Sequence, residues 1–339
     1  MSQSEFDIIK KYFETPDLNQ ENEHIELGIG DDAALISVPG GQNLAISTDV
    51  LVEGVHFPEN ADAGLVAKKA LAVNLSDLAA MAANPFCFTL GLILPDASEK
   101  WISKFSLALG KMAKEYGIAL VGGDVSQGPL TIAIQVHGTS RFGESLRRDK
   151  AKVGDTIYVT GTLGAAAAGL LCVGGPSHIG DSFKLIDDHP PRNCRDFLVK
   201  AYYEPKPRIN FALRCKEYIN SAIDISDGLQ GDLSHILRAS KVGARVEIGR
   251  IPVSKEASSC LTNENLYRAA LYGGDDYELC VTVPPENCAK FEQEALRSGT
   301  RITRIGEIIK GSEVQLVSVS ETNFLVDHPY LHFNKNGFE

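Results

Sequence analysis

Aspartates recur where a predicted strand ends or a glycine turn begins, and this recurrence constrains the fold more than any other feature of the chain. The stretch GIGDDAALI places Asp31 and Asp32 side by side between two apolar runs. A tight turn accounts for one aspartate, but less easily for a second one that repels the first. The other acidic turns are STD at Asp49, LSD at Asp77, GGD at Asp124, DISDG at Asp224 and Asp227, and GGDD at Asp275 and Asp276.

Helix-like and strand-like segments alternate throughout the 339 residues. Residues 43–52 and 86–94 have strand patterns, and residues 63–83 and 229–240 have helical ones. The mixture predicts an α+β fold with mixed α/β character, and the length favours two domains. We expect a first domain at residues 1–150 and a second at residues 151–339.

Charge and composition exclude several functional classes. The net charge of −11 argues against a nucleic-acid surface, and no run approaches the roughly 20 apolar residues of a membrane span. The seven cysteines are odd in number and include no C-x-x-C, which indicates reduced thiols in the cytoplasm rather than disulfides or a zinc site. An acidic protein that handles phosphates needs a divalent cation as intermediary.

Asp77 differs from the other aspartates because it lies inside a helix rich in alanine and leucine, with Asn74 three residues earlier on the same face. A buried carboxylate costs several kcal/mol unless it is paired or binds a metal. Any single acidic turn can be a helix cap, and Asp77 alone can belong to a solvated face. The whole set, with neighbouring hydroxyls at Ser47, Thr48 and Ser226, suits magnesium, which prefers oxygen ligands.

Common nucleotide motifs are absent from the sequence. No Walker G-x-x-x-x-G-K-[ST], no kinase H-R-D or D-F-G and no G-x-S-x-G occurs. Glycine turns at 122–123, 161–164 and 273–274 remain as candidate phosphate cradles. Arg147 and Arg148 are candidate phosphate ligands, although a solvated loop explains the pair better when it is taken alone.

Taken together, the sequence blocks resemble the thiamine-monophosphate kinase family of the aminoimidazole-ribonucleotide-synthetase-like superfamily. The resemblance covers essentially the whole chain, in the order and at the spacing of that family. The blocks are GIGDDAAL, LAISTDVLVEGVHF, KALAVNLSDLAAMAA, GGD, VTGTLG, AIDISDGL and GGDDYEL.

The resemblance implies a fold and a reaction. The first domain would bind ATP and metal and form a β-barrel-like core shared by a homodimer, and the second would complete the active site. The reaction would transfer the γ-phosphoryl group of ATP to thiamine phosphate, by direct in-line transfer assisted by several Mg²⁺ ions. The product would be thiamine diphosphate. No general base is needed, because a phosphate monoester is largely dianionic at neutral pH.

The resemblance also assigns residues by position. The magnesium positions are Asp32, Ser47, Thr48, Asp49, Asp77, Asp124, Asp224 and Asp227. The ATP contacts are Gly123, Asp124, Arg148 and Ser226. The contacts with thiamine phosphate are His56, Asp275 and Tyr330. From the repulsion between the two adjacent acids, we expect Asp32 to bind metal and Asp31 either to cap its turn or to support the metal ligands from behind.

The chain departs from the family at three positions. Asp275 replaces the usual glutamate and is one methylene shorter. Val125 replaces a hydroxyl residue, and Asn84 stands where an aspartate is frequent. None of these positions belongs to the predicted metal set.

Two alternative functions remain open from the sequence. One is another ATP-dependent enzyme of the superfamily, which would activate a ribonucleotide amide or selenide. The lack of a reactive N-terminal cysteine argues against the selenide reaction. The other is a non-catalytic protein that binds a nucleotide or a divalent metal.

Overall fold

The computed structural model describes residues 5–175 and 183–317, so Tyr330 lies outside the described residues. The chain forms two compact units. Unit 1 contains the residues up to Ser145 together with Lys206–Lys216, and unit 2 contains Leu146–Pro205 and the residues from Glu217 onward. The first change of unit follows Ser145, and the domain boundary at residue 150 stays a prediction. The return of Lys206–Lys216 to unit 1 begins inside the proline-rich stretch YEPKPR.

Helices and strands alternate along both units. The helices are α1 (Glu5–Ile8, continued by a π-turn at Ile9–Phe13), α2 (Ala63–Ala80), α3 (Glu99–Tyr116), α4 (Ala165–Cys172), α5 (Arg192–Tyr203), α6 (Ile209–Cys215), α7 (Leu229–Ser240), α8 (Lys255–Cys260), α9 (Asn263–Tyr272) and α10 (Cys288–Arg297). The strands are β1 (Ile25–Leu27), β2 (Leu35–Ile36), β3 (Gln42–Val52), β4 (Asn84–Leu94), β5 (Ala119–Gln127), β6 (Thr131–Arg141), β7 (Thr156–Thr160), β8 (Ser221–Ile225), β9 (Gly243–Glu247), β10 (Glu278–Val283), β11 (Ile302–Ile309) and β12 (Val314–Val317). The mixed α/β fold is confirmed.

Unit 1 is built on a four-stranded sheet in the order β3-β6-β4-β5, in which only the β4–β5 pair is parallel. Helix α2 packs on β3 and β6 and also against α3 and α6. Its residues are buried almost all round because it carries alanine, leucine and valine on every side. Helix α3 ends at Gly117, which adopts a left-handed conformation with φ +64°, as glycine after a helix commonly does.

One face of this sheet carries exposed apolar side chains. Leu44, Ile46 and Val50 alternate along the edge strand β3 and are 40–54% exposed. None of the three sheets of the structure closes into a barrel within residues 5–175 and 183–317. The shared barrel of a dimer therefore stays a prediction.

The hairpin β1–β2 carries the GIGDD loop. Ile25, Ala34 and Ile36 of this hairpin pack on a small apolar cluster that includes Phe86 and Val121 of the sheet. The acidic loop is thereby anchored at its two ends, where the apolar runs predicted from the sequence meet the core.

Unit 2 contains a six-stranded sheet in the order β12-β9-β11-β7-β10-β8, antiparallel except for the β12–β9 pair. Helix α7 packs on it through Leu229, Leu233, Ile236 and Leu237, which are all buried as the helical spacing predicts. Because β8 and β10 are antiparallel and pair Ile225 with Glu278, the end of β8 lies next to the beginning of β10. The DISDG and GGDD turns therefore meet at one edge of the sheet.

Within the described ranges, none of the helices combines the length and the apolar character that a membrane crossing requires. The seven cysteines likewise form no disulfide in this part of the chain.

Candidate active site

Ser47 and Asp77 meet between strand β3 and helix α2. The Ser47 hydroxyl donates to Asp77 Oδ2 at 2.5 Å, and the backbone N–H of Asp49 donates to Asn74 Oδ1 at 3.0 Å. Since side chains alternate along a strand, Ser47 and Asp49 both face α2. The Ser47 side chain thus pairs with the half-buried Asp77 carboxylate, and the Asp49 side chain points toward the same helix. Asp77 therefore does not belong to a solvated helix face.

A second group of predicted residues lines a cleft of about 790 Å³ in unit 1. The GIGDD loop contributes Asp31 and Asp32, and the GGD block contributes Gly123 and Asp124. Asp32 and Asp124 are exposed. Asp31 Oδ1 accepts from the backbone N–H of Asp32 at 2.8 Å, so this carboxylate is held within its own loop. Lys10 is the cation among the lining residues and was not predicted from the sequence.

The floor of this cleft depends on a glycine. Gly123 has φ +152°, and a Cβ built there would lie 1.9 Å from the carbonyl oxygen of Leu90. At Gly122, by contrast, a Cβ would meet nothing within 4 Å. Strands β4 and β5 can approach this closely only because residue 123 has no side chain.

Thr48 is not brought together with Ser47 and Asp77. Its side chain lies on the opposite face of β3, where Gln135 Nε2 donates to Thr48 Oγ1 at 2.9 Å. Asp124 lies on the same face of the sheet in the strand register, and Ser126 donates to its Oδ2 at 2.6 Å. Sequence reasoning missed Gln135 and Ser126. The period-two spacing of Asp124 and Ser126 could have indicated the second.

His56 follows strand β3 and turns back onto it. Its Nδ1 accepts from the backbone N–H of Val52 at 3.0 Å. Because an accepting Nδ1 carries no proton, the neutral ring carries its proton on Nε2. His56 therefore has a fixed tautomer with a donor on the far side of the ring.

The DISDG turn of unit 2 brings together Asp224, Ser226 and Asp227. Asp224 is buried at the end of β8, whereas Ser226 and Asp227 are half-buried. The backbone N–H of Asp275 donates to the carbonyl of Ser226 at 2.8 Å, so the predicted substrate residue lies against the same turn. Asp275 has φ +62°, a left-handed conformation that is costly for a non-glycine residue and often marks a functional site.

Two further acids at this edge, Asp276 and Glu278, are buried and accept hydrogen bonds from the fold itself. Asp276, 8% exposed, accepts from the N–H groups of Gly164 at 2.7 Å and Ala166 at 3.4 Å, and thereby caps helix α4. Burial raises the pKa of Asp276 to about 8, with further increases from Glu278 and Asp275, although the two N–H donors oppose them. Glu278 accepts from Thr160 Oγ1 at 2.5 Å.

These contacts correct one expectation about the glycine turns. The N–H of Gly164 is used by Asp276, and the N–H of Gly161 donates to the carbonyl of Arg301 at 2.8 Å. The N–H of Gly273 donates to the carbonyl of Ala269. These three N–H groups therefore do not serve as a phosphate cradle, because the fold itself uses them.

The two adjacent arginines have different partners. Arg147 makes a bidentate ion pair with Asp149, at 2.8 and 2.7 Å. Arg148 is exposed, and its carbonyl accepts from Ser240 Oγ of helix α7 at 2.7 Å. Burial, together with Arg148 and Arg238, lowers the pKa of His235, and Asp227 opposes the shift. Arg148 and Asp227 thus influence the same histidine of α7 with opposite sign.

Asp232 is a further residue that sequence reasoning missed. It lies in the first turn of α7 and is 4% exposed. Burial raises its pKa to about 8, and Asp227 and Asp224 contribute in the same direction, against hydrogen bonds from the Asp227 and Ser226 amides. The available signal was an acid on the apolar stripe of the helix, between Leu229 and Ile236.

The described carboxylates do not form a preassembled metal cage. Within residues 5–175 and 183–317, no three His, Cys, Asp or Glu side chains are grouped so that they could hold a metal ion. The chemistry of the donors nevertheless suits a hard cation, since every side chain of the predicted set offers oxygen.

Comparison with known proteins places this arrangement in a family. Residues 30–140 match the model of the AIR synthase related protein, N-terminal domain, and residues 152–318 match that of the AIR synthase related protein, C-terminal domain. Together the two matches span most of the chain.

Sequence relatives agree with the family models. The chain is 43% identical to the thiamine-monophosphate kinase of Escherichia coli (strain K12) over 308 residues, which cover 91% of both chains. It is 39% identical to that of Salmonella typhimurium, over 100% of this chain and 98% of the relative.

Solved structures extend the comparison to the fold. The crystal structure of thiamine-monophosphate kinase from Stenotrophomonas maltophilia K279a matches with a TM-score of 0.79 and 39% identity, over 87% of this chain and 92% of that chain. AaThiL complexed with AMPPCP and TMP matches with a TM-score of 0.72 and 28% identity, over 95% of each chain. The hydrogenase maturation protein HypE, at 19% identity and a TM-score of 0.67, shares the fold alone.

Proposed function

This chain belongs to the thiamine-monophosphate kinases of the AIR synthase related family, and on that premise we propose that it transfers the γ-phosphoryl group of ATP to thiamine phosphate in the presence of magnesium. The observation that carries the proposal is the contact of the Ser47 hydroxyl with the Asp77 carboxylate, next to the bond from the Asp49 N–H to Asn74. It collects oxygen donors from two elements of a fold that a relative uses to bind AMPPCP and TMP.

The proposed step is a direct in-line displacement. An oxygen of the thiamine phosphate forms a bond to the γ-phosphorus while the bond from that phosphorus to the bridging oxygen of ADP breaks. The nucleophile has a second pKa of about 6, so it is already deprotonated at neutral pH. The chain therefore needs no general base, and its task is to position two anions.

Repulsion between the two anions is the main barrier that the site must lower. Two unit charges about 4 Å apart repel by roughly 4 kcal/mol at an effective dielectric of 20. Magnesium would supply the neutralising charge when bound. The residues proposed to hold it are Asp32, Ser47, Thr48, Asp49, Asp77, Asp124, Asp224 and Asp227. Their all-oxygen chemistry fits several magnesium ions, and Thr48 and Asp124 would hold a different ion from Ser47 and Asp77 because they lie on the other face of the sheet.

Several residues are proposed to bind ATP. Gly123 exposes backbone at the close approach of β4 and β5, and Asp124 follows it in the cleft. Ser226 offers a hydroxyl beside Asp227. Arg148 offers the guanidinium, because Arg147 is already held by Asp149.

The acceptor thiamine phosphate would meet His56 and Asp275. The Nε2–H of His56 is a suitable donor to a phosphate oxygen, and Asp275 is held at the DISDG turn by its backbone. Tyr330 completes the proposed contacts as an aromatic partner of the thiamine ring.

We also propose that the exposed face of β3 is covered by a second copy of the chain. Leu44, Ile46 and Val50 make an apolar row of the kind that marks protein interfaces. Light scattering after size exclusion tests this proposal. Ile46→Asp should shift a dimer to a monomer, whereas Leu296→Asp, at an 80% exposed residue of unit 2, should not. A wild-type monomer would contradict it.

A coupled assay of ADP release tests the reaction. We expect release that requires both thiamine phosphate and magnesium. Turnover with a ribonucleotide amide instead would support another enzyme of the superfamily, and nucleotide binding without turnover would support a non-catalytic protein. We also propose a cytoplasmic location, because the odd number of cysteines and the lack of a C-x-x-C in the sequence favour reduced thiols.

A further inference from the structure

The turn between β8 and α7 is held by a carboxylate that no part of the proposed mechanism uses. Asp232 Oδ2 accepts from the backbone N–H groups of Ser226 and Asp227, both at 3.0 Å. The two amides belong to the residues proposed to contact ATP and metal, and they converge on a single oxygen atom. Asp232 therefore fixes the direction of the turn rather than one side chain.

The burial of the Asp232 carboxylate lowers stability unless its two hydrogen bonds compensate for the lost hydration. Asp232 shares the buried face of α7 with Leu229, Leu233 and Ile236. Placing a carboxylate there costs several kcal/mol in lost hydration. Helix α7 begins after Gly228, which offers no side-chain cap, and Asp232 reaches back beyond the helix to the turn before it. Its two hydrogen bonds thus shape the loop instead of capping the helix.

The turn is also held from its other side. The carbonyl of Ser226 accepts from the N–H of Asp275, and the carbonyl of Ile225 accepts from the N–H of Tyr277, both at 2.8 Å. Gly228 packs so tightly that a Cβ there would lie 2.6 Å from the carbonyl of Leu271. A shift of the turn would therefore move both the proposed metal residues and Asp275.

We infer that Asp232 is a positioning residue, which orients Ser226, Asp227 and the preceding Asp224 toward the nucleotide and its metal. The inference rests on the proposed function. It assigns Asp232 no contact with substrate, because its accepting oxygen is already occupied by backbone amides.

The two hydrogen bonds suggest a matched pair of variants. Since both amides donate to the same oxygen, the carbonyl oxygen of an asparagine can accept both, and D232N should keep the turn. D232L fills the space but leaves both N–H groups without an acceptor. Asp155 gives the control, because it is 2% exposed in the same unit and accepts from the Lys152 N–H and Asn220 Nδ2 away from the turn.

Two measurements separate positioning from stability. The first is the magnesium concentration that gives half-maximal activity with thiamine phosphate, and the second is the thermal shift caused by magnesium with a non-hydrolysable ATP analogue. Replacing a residue that hydrogen-bonds to a metal ligand typically lowers metal affinity or activity by about 10–100-fold. We expect D232L to need about tenfold more magnesium and to lose most of the thermal shift. D232N should stay within about threefold of the wild type, since it keeps the acceptor.

The control fixes the interpretation. D155L should lower the melting temperature as D232L does, yet keep the wild-type magnesium requirement and thermal shift. If D232L and D155L behave alike in both measurements, Asp232 is merely structural and the inference is wrong. If D232L does not fold, Asp232→Ser is judged by the same criteria. A wild-type chain without thiamine phosphate kinase activity would overturn the proposed function instead.

Discussion

The two units use acidic residues in opposite ways. In unit 1, Asp32 and Asp124 are exposed in a cleft and Asp77 is half-buried against a hydroxyl. In unit 2, Asp232 and Asp276 are 4% and 8% exposed and accept from backbone N–H groups. The first group presents charge, and the second shapes loops. The same residue type in the same kind of motif can therefore have unrelated tasks, which only its burial and hydrogen bonds distinguish.

The shape of the unit 1 cleft depends on a glycine rather than on a buried acid. Gly123 permits an approach of β4 and β5 that any side chain would prevent. Because the exposed acids of unit 1 carry little of the fold, their replacement should affect activity more than stability. The buried acids of unit 2 should affect stability and its pH dependence.

The largest effect is expected at Asp77. D77N keeps the size of the side chain but removes the charge opposite Ser47. We expect turnover to fall by roughly 10²–10³-fold, as when one preorganised electrostatic group is removed from an active site, with little change in melting temperature. The control is D62N at the N-cap of the same helix, where Asp62 accepts from the N–H groups of Gly64 and Leu65. Wild-type turnover in D77N would contradict the role of Asp77.

The next largest effect is expected at Gly123 and concerns stability. In G123A the new methyl group would lie 1.9 Å from the Leu90 carbonyl oxygen. Overpacking and a strained φ should together cost about 3 kcal/mol or more of the free energy of unfolding. G122A meets nothing within 4 Å and should stay near the wild type. Denaturant unfolding of both variants measures the difference, and equal stabilities would show that β5 moves away easily.

A pH effect is expected in unit 2 from Asp276. Its pKa is raised to about 8 by burial, so the folded state binds this proton more tightly than the unfolded state does. Stability linked to this group is therefore complete below the unfolded pKa, near 4, and is lost as pH rises toward 8. The slope is at most about 1.4 kcal/mol per pH unit.

Denaturant unfolding between pH 5 and 8 tests this dependence. The wild type should lose stability relative to D276N as pH rises. D149N is the control, because Arg147 lowers the pKa of Asp149 and its contribution lies below this range. A wild-type curve parallel to that of D276N would show that Asp276 stays ionised when buried.

Periodicity and turn residues were enough to predict much of the fold. Helix α7 and the end of α3 at Gly117 follow from local patterns. The return of Lys206–Lys216 to unit 1 does not, because it depends on packing of α6 against α2. The local sequence of a short helix does not indicate which distant part of the chain the helix will pack against.

The site was predictable in composition but not in geometry. Blocks of sequence singled out the acids as candidates, whereas only the Ser47–Asp77 contact decides between a paired and a solvated Asp77, which the sequence left open. The capping of α4 by Asp276 joins residues 112 positions apart, and no local signal reveals it. Asp232 is an acid on the apolar stripe of α7, which is a weak signal in the sequence. Without knowledge of its burial, the sequence does not distinguish it from an ordinary surface aspartate.

The smallest effect is expected at Gln135, whose Nε2 donates to Thr48 Oγ1 at 2.9 Å on the exposed face of unit 1. Q135A removes a hydrogen bond that water can replace, so the loss in free energy of unfolding should stay below about 1 kcal/mol. Activity should fall only a few-fold, through a less ordered Thr48 hydroxyl. Denaturant unfolding measures the stability, and the coupled ADP assay measures the activity. Gln127→Ala, on the edge strand β5, is the control. A stability loss as large as that of G123A would break the contrast between the units, because an exposed side chain of unit 1 would then carry part of its fold.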